Sequence, residues 1–329
     1  MTTMMTSNTT PWEMNSTLFY NYTSDEAKNE DYCIYEGYER YFLPAIYYMF
    51  FVVGLIGNAL VVWVITVGAQ MKSITNVCLL NLALADLLLV LSLPFRAYQI
   101  KHGWIFGKVM CMLVYGIHYV GFYGGFFFIV LMSIDRYLAI VHAVLALRVR
   151  TRVCGIVSSL VIWVLAIAAS FPELLFIGVK KIFPGGHCMA ITNDWGLFNV
   201  SIFKMNIVGL LVPLIILGFF YSMILRKLHG SHSSKKHSIC LIILVVVVFV
   251  CCWMPYNIVF LLVALIIMGV IPAECEILKR ILLTIITTEA VVFLHCCLNP
   301  FIYVFVGEKF RKHLIRLIRA RLPICCSRL

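Results

Sequence analysis

Charge is what this chain has least of. Asp, Glu, Lys and Arg make up only 12% of its 329 residues, while 62% are hydrophobic, and the mean hydropathy is +0.97. A soluble domain carries about a quarter charged residues, so a water-soluble globule is excluded and an integral membrane protein is expected. No charged stretch at the N-terminus precedes a short apolar one, so no cleavable signal peptide is expected and the first span is read as an uncleaved anchor. Neither a Ser/His/Asp set nor a His-Glu-x-x-His zinc motif is evident, which argues against an enzyme and implies no cofactor or metal. The stretch Ile281–Val306 lacks a lysine, which argues against a retinal-linked protein. No internal repeat of the kind that marks many transporters is seen. After Phe310 the sequence holds one hydroxyl side chain before its end, Ser327.

What is present is long apolar runs. A span needs about 20 apolar residues, and seven segments qualify: Tyr41–Val67, Ile74–Gln99, Val109–Val141, Val153–Gly178, Leu197–Leu225, Ile239–Val270 and Ile281–Val306. Three regions follow: a polar tail over 1–40, a seven-helix bundle over 41–306, and an amphipathic helix with a short tail over 307–329. Between the fourth and fifth spans, the longest outer loop runs over Val179–Gly196, with a turn marked by Pro184-Gly185-Gly186.

The scarce charges set the orientation. With the N-terminus outside, 16 of the 26 Lys and Arg face inward, and the only acids there are Asp135 and Glu308. The stretch to Arg40 holds seven of the 15 acids and two basic residues. This obeys the positive-inside rule, so the formal net charge of +11 is an inner-leaflet signature and no argument for nucleic acid. The tail carries glycosylation sequons at Asn8, Asn15 and Asn21; a fourth match, at Asn199, opens a span and is expected to be silent. Four of the 13 cysteines lie on the outer side: Cys33, Cys111, Cys188 and Cys275. An oxidising exterior favours two disulfides, and four cysteines allow three pairings. The favoured one joins Cys111 to Cys188, tying the third span to the loop, and Cys33 to Cys275, tying the tail to the mouth of the seventh span. Past Gly307, residues Phe310, Leu314, Leu317 and Ile318 share one helical face with basic residues opposite, the pattern of a helix lying on lipid. Cys325 and Cys326 sit where acylation would add an anchor.

Polar groups within the spans are costly and therefore candidates for function: Asn58, Asp86, His118, Glu173, Lys204, Asn257, Glu289, His295 and Asn299. Packing is the alternative reading, and for Asn58, Asn257 and His295 it carries nearly equal weight.

Gly57-Asn58, Leu82-Ala83-Leu84-Ala85-Asp86, Asp135-Arg136-Tyr137, Trp163, Pro213 with Tyr221, Cys252-Trp253-Met254-Pro255-Tyr256 and Asn299-Pro300-Phe301-Ile302-Tyr303 fall in order, one group per span. Together they resemble the rhodopsin-like G-protein-coupled receptors over the whole bundle. Asp135–Ala143, Ser92-Leu93-Pro94-Phe95, His295–Pro300, Phe305–Arg311 and the extra cysteine pair are similar to the CC chemokine receptors. Phe203–Ile207 and Gly121-Phe122-Tyr123 look most like the type four and type eight branch.

That resemblance implies a plasma-membrane receptor for a CC chemokine, coupled to a heterotrimeric G protein, most often of the Gi class. Its acidic tail, including Glu36, would steer a basic ligand, and tyrosines among those acids, such as Tyr32 and Tyr35, would be sulfated. Tyr47, Tyr115 and His118 match pocket-lining positions, and Glu289 matches the acidic anchor for the ligand's N-terminus. His118 departs from the usual tyrosine. Arg96 is the larger departure; it is expected either to pair with Glu289 and compete with the ligand, or to snorkel to the mouth. On the signalling side, Asp135 would restrain Arg136 at rest, with Tyr221 and Tyr303 supporting the released state and Trp253 pivoting over Pro255. Asp86 with Asn299 is the sodium-site candidate, weakened by Gly125 where many relatives outside the chemokine group place a serine. A tail with so few hydroxyls implies weak arrestin engagement, and would suit a virus-encoded homologue as well as a vertebrate receptor. The competing expectations are a non-signalling scavenger, against which the intact Asp135–Val141 run speaks, and a constitutively active receptor.

Overall fold

The computed structural model describes residues 39–69, 74–149, 151–182, 185–192, 194–228, 236–272, 274–305 and 307–321. Helix α1 (Glu39–Trp63) runs into a π-helical turn, Val64–Ala69. It is followed by α2 (Ile74–His102), α3 (Gly107–Val141), the short α4 (Ala143–Val149) and α5 (Arg152–Leu174). Strands β1 (Ile177–Ile182) and β2 (Gly185–Ala190) form an antiparallel hairpin with Val179 opposite Cys188. The fifth span combines α6 (Trp195–Asn206), a π turn (Ile207–Leu211) and α7 (Val212–Leu228). Helices α8 (Lys236–Ile267), α9 (Cys275–Phe305) and α10 (Glu308–Arg321) complete the chain. Among the described residues, seven helical stretches are long and apolar enough to cross a membrane.

Two boundaries differ from the sequence reading by more than three residues. The fourth span stops at Leu174 rather than Gly178, because the apolar run continues as β1. The seventh helix opens at Cys275 rather than Ile281, so Cys275 belongs to the helix and Lys279 lies in its outer turns. The sequons, Cys33, Tyr32, Tyr35, Glu36, Cys325 and Cys326 lie outside the described residues.

The bundle is apolar outside and keeps its polar groups inside, as lipid requires. Leu160, Val164 and Leu165 of α5 are exposed, while Asn58, Asp86, Asn257 and Asn299 are at most 1% exposed. Trp163 Nε1 donates to Asn81 Oδ1 (2.8 Å) and Asn81 Nδ2 donates to Ser159 Oγ (3.1 Å), joining α2 to α5. Phe310 of α10 is buried, and Leu314 and Leu317 pack against the core near Gly68. Ile318 instead stays 43% exposed, so the apolar face of α10 is shared between bundle and lipid.

Helices α2 and α3 are in close contact at Gly121, where an added Cβ would stand 2.8 Å from the Ala85 carbonyl oxygen, an atom of the backbone that cannot rotate away. Gly121→Ala is therefore expected to lower stability by roughly 1–3 kcal/mol. Gly218→Ala, with nothing within 4 Å of the new methyl, is the control. Thermal melting of the solubilised protein reads the difference, and equal melting of the two variants would contradict the assigned contact.

Candidate functional site

Toward the end of the bundle that carries the β1–β2 hairpin, the residues expected to line a pocket surround a charged pair. Arg96 of α2 and Glu289 of α9 form a salt bridge, with side chains 13% and 17% exposed. Tyr47 of α1 donates its hydroxyl to the other carboxylate oxygen of Glu289 (3.1 Å). The guanidinium lies over the Tyr115 ring at 4.8 Å and near Phe293 at 5.8 Å. His118 is buried against Phe293 (5.6 Å), and its Nδ1 has no hydrogen-bond partner among the described residues. The structure thus brings together all five described pocket residues of the sequence reading: Tyr47, Arg96, Tyr115, His118 and Glu289. Of the two expectations for Arg96, pairing is the geometry observed.

A roof covers one side. Cys111 of α3 is disulfide-bonded to Cys188 of β2. Gln99 brackets the same residue, donating to its carbonyl (3.1 Å) and accepting from its N–H (3.3 Å), and Tyr115 donates to that carbonyl (3.3 Å). The hairpin is therefore fixed to α2 as well as to α3.

Below the pocket, Trp253 is 1% exposed. Its ring packs on Phe122 (4.3 Å), Phe249 (5.8 Å) and His295 (5.7 Å), two residues before Pro255 within α8. Lower still, Asn299 Nδ2 donates to Asp86 Oδ2 (2.8 Å), and His295 Nε2 stands 3.3 Å from Asp86 Oδ1. Asp86 and Asn299 meet as expected. His295, for which packing and a direct role carry nearly equal weight in the sequence, faces this carboxylate; its place four residues before Asn299, one helical turn away, was the available signal.

At the end of the bundle away from the hairpin, Arg136 Nη2 pairs with Asp135 Oδ2 (2.7 Å) and also donates to Thr75 Oγ1, while Thr75 donates to the same carboxylate oxygen (2.9 Å). The link to α2 through Thr75 was not anticipated; a threonine at the start of a span carries no mark in the sequence. Tyr221 and Ser133 share a hydrogen bond (3.2 Å). The Tyr303 hydroxyl is buried without a partner among the described residues.

A further cluster joins α3, α5 and α6. Lys204 Nζ pairs with Glu173 Oε2 (2.7 Å), and Tyr123 donates to Glu173 Oε1 (2.7 Å). Glu173 and Lys204 stood out as buried polar residues, but their partnership was not legible.

Residues 57–303 match the family described as 7 transmembrane receptor (rhodopsin family). The human C-C chemokine receptor type 4 is 41% identical over 323 residues, covering 93% of this chain and 89% of the relative. The human type 8 receptor is 44% identical over 277 residues (83% and 77%). The human type 1 receptor is 40% identical over 289 residues (86% and 81%). With seven membrane-crossing helices in the arrangement above, the chain belongs to the rhodopsin family of seven-transmembrane receptors, and within it to the CC chemokine receptors, which are signalling receptors and not enzymes.

Proposed function

We propose that this multi-pass plasma-membrane receptor binds a basic CC chemokine through its acidic outer tail and the Arg96–Glu289 pocket, and activates a G protein of the Gi class. Its N-terminus faces outward, since the inner segments carry the Lys and Arg excess. One observation supports this reading above others: ring contacts join Tyr47 to Phe293 and Phe293 to His118 beside Glu289, a second set joins Trp253 through His295 to Asp86 within the same apolar core, and Arg136 is latched at the other end. A ligand that favours one arrangement of these contacts biases the whole two-state element. The latch favours coupling over scavenging, because a receptor that binds no G protein needs no restrained arginine.

The test is inhibition of cyclic AMP formation in cells expressing the chain, with and without a panel of CC chemokines, pertussis toxin and the variant Arg136→Ala. The expected result is chemokine-dependent, toxin-sensitive inhibition that is lost in the variant while chemokine binding persists. Binding and uptake without any cyclic AMP response would overturn the signalling half and leave a scavenger. Ligand-independent inhibition would establish constitutive activity instead.

A further inference from the structure

The charged pair of the pocket is only partly used. Arg96 meets Glu289 through one nitrogen, Nη1, against one carboxylate oxygen, Oε1. A guanidinium presents five N–H donors in a planar fork, and arginine–carboxylate pairs frequently close two parallel bonds. Here Nε is buried without a partner, and Nη2 takes part in no bond among the described residues. On the acidic side, Tyr47 occupies Oε2 with a single bond (3.1 Å), while each carboxylate oxygen offers about two lone pairs. Open donors on Arg96 therefore stand beside open lone pairs on Glu289. Neither group is sealed in, since the side chains are 13% and 17% exposed.

Aromatic rings flank both charges. The guanidinium lies over the Tyr115 ring (4.8 Å) and near Phe293 (5.8 Å). Phe293 in turn packs edge-on against Tyr47 (5.5 Å) and His118 (5.6 Å). His118 Nδ1 adds a further buried polar atom without a partner among the described residues.

The signs and spacing of the charges decide what such a site takes. A lone cation drawn to Glu289 is repelled by Arg96 on the diagonal, and a lone anion drawn to Arg96 is repelled by Glu289. A molecule carrying both charges side by side closes a square of alternating sign, with two attractive edges and two longer repulsive diagonals. With edges of about 4 Å and an effective dielectric of about 20, it gains about twice what either single charge gains, a difference of roughly tenfold in affinity. Both of its charges also keep hydrogen-bonded partners as they leave water. An α-amino acid has this layout, with ammonium and carboxylate on one carbon, spaced like a contact ion pair. The Arg96–Glu289 bridge stays closed beneath it, so neither buried charge is stranded.

We infer that the Arg96–Glu289 pair is a binding site for a free zwitterion, an α-amino acid with an apolar or aromatic side chain. Its carboxylate takes the open N–H groups of Arg96, its ammonium takes Glu289, and its side chain lies among Tyr115, His118 and Phe293. The protein ligand of the reading above brings only an ammonium to this place, so the zwitterion is a separate molecule. By covering Glu289 it opposes the chemokine; that consequence, unlike the site itself, rests on the proposed function.

The test uses the full chain in lipid nanodiscs and three probes on one carbon skeleton. L-phenylalanine carries both charges, phenylethylamine the cation alone and phenylpropionate the anion alone. A molecule that binds the folded form raises its melting temperature. L-phenylalanine is expected to act at about one tenth of the concentration that either other probe needs. Arg96→Gln should place phenylethylamine ahead of L-phenylalanine, and Glu289→Gln should place phenylpropionate ahead. Equal potency of L-phenylalanine and phenylethylamine on the unmutated chain, a comparison that depends on no variant's folding, would overturn the assignment. So would the absence of any shift with L-phenylalanine, or a shift that Arg96→Gln leaves intact. Radiolabelled chemokine supplies the second arm, in which L-phenylalanine should weaken chemokine binding to the unmutated chain. Melting shifts in the expected order with chemokine binding undiminished would uphold the site and overturn the pocket assignment of the proposed function instead.

Discussion

Glu289→Gln is expected to lose high-affinity chemokine binding and to destabilise the receptor at the same time, and the two losses are separable. In the resting structure Glu289 neutralises Arg96 inside a pocket that is largely shielded. Removing one partner of such a pair strands the other, at a cost of about 3–5 kcal/mol; with both side chains partly exposed, the lower end applies. The carboxylate is also the group that would receive the ligand's cationic N-terminus, so affinity falls for a second reason. Arg96→Gln separates the two. It leaves Glu289 held by Tyr47 alone and open to the ligand, so affinity is expected to rise by about tenfold, the factor that corresponds to about 1.4 kcal/mol of relieved competition. The double variant removes both charges. It should recover most of the melting temperature lost in Glu289→Gln and none of the affinity. Thermal melting and radioligand competition across the four proteins form a complete cycle. If Arg96→Gln left the affinity order and magnitude of a chemokine panel unchanged, the guanidinium would not be competing with the ligand.

The second large effect is expected at the roof. Cys111→Ser cuts the link between α3 and β2, opening a loop with a sequence separation of 77. Chain entropy alone puts such a link at about 4.5 kcal/mol, an upper figure here because inserted spans already restrict the free chain. What remains to hold the hairpin over the pocket is the pair of Gln99 bonds, the Tyr115 bond and the Trp104–Gly186 backbone bond. Each net hydrogen bond contributes about 1 kcal/mol, and all four are present with or without the disulfide, so they do not make up for its loss. Surface expression and chemokine binding should both fall by more than tenfold. Cys188→Ser should match it, and the double variant should add nothing further. Additive losses would mean that the two cysteines act separately.

The sequence made the bundle legible because lipid leaves few options. A long apolar run must be a helix, and an isolated Asn, Asp or Pro inside it must have a reason. The partners came from elsewhere: the family resemblance implied Asp86 with Asn299 and Asp135 with Arg136, Cys111 with Cys188 was the favoured of three pairings, and Arg96 with Glu289 was one of two options. The hairpin was not legible. Ile177–Ile182 follows an apolar helix without a break, and a short apolar run does not by itself tell a strand from a helix end. The partners of Thr75, Asn81 and Lys204 were hidden for another reason. Each bond joins different spans, and depth and rotation about the helix axis decide who meets whom. Sequence spacing measures neither across separate helices. His295 shows the same limit: its residue type was noted, but only the paired helices reveal that it aims at a carboxylate.

The π turn Ile207–Leu211 divides the fifth span into two faces. Above it, Lys204 is committed to Glu173; below it, Tyr221 is committed to Ser133. A wide turn carries one more residue than the α-helical ladder, which offsets the angular phase of everything beyond it by about 100°. Closing that turn by a one-residue deletion would send one of the two contacts to the wrong side of the helix. The same widening makes the span behave as a torsional joint. The inner half, with Tyr221, can twist away from α3 while the outer half stays fastened to α5. Movement at the cytoplasmic end then leaves the shape of the ligand-facing end intact, and a bound ligand keeps its grip through the change it provokes.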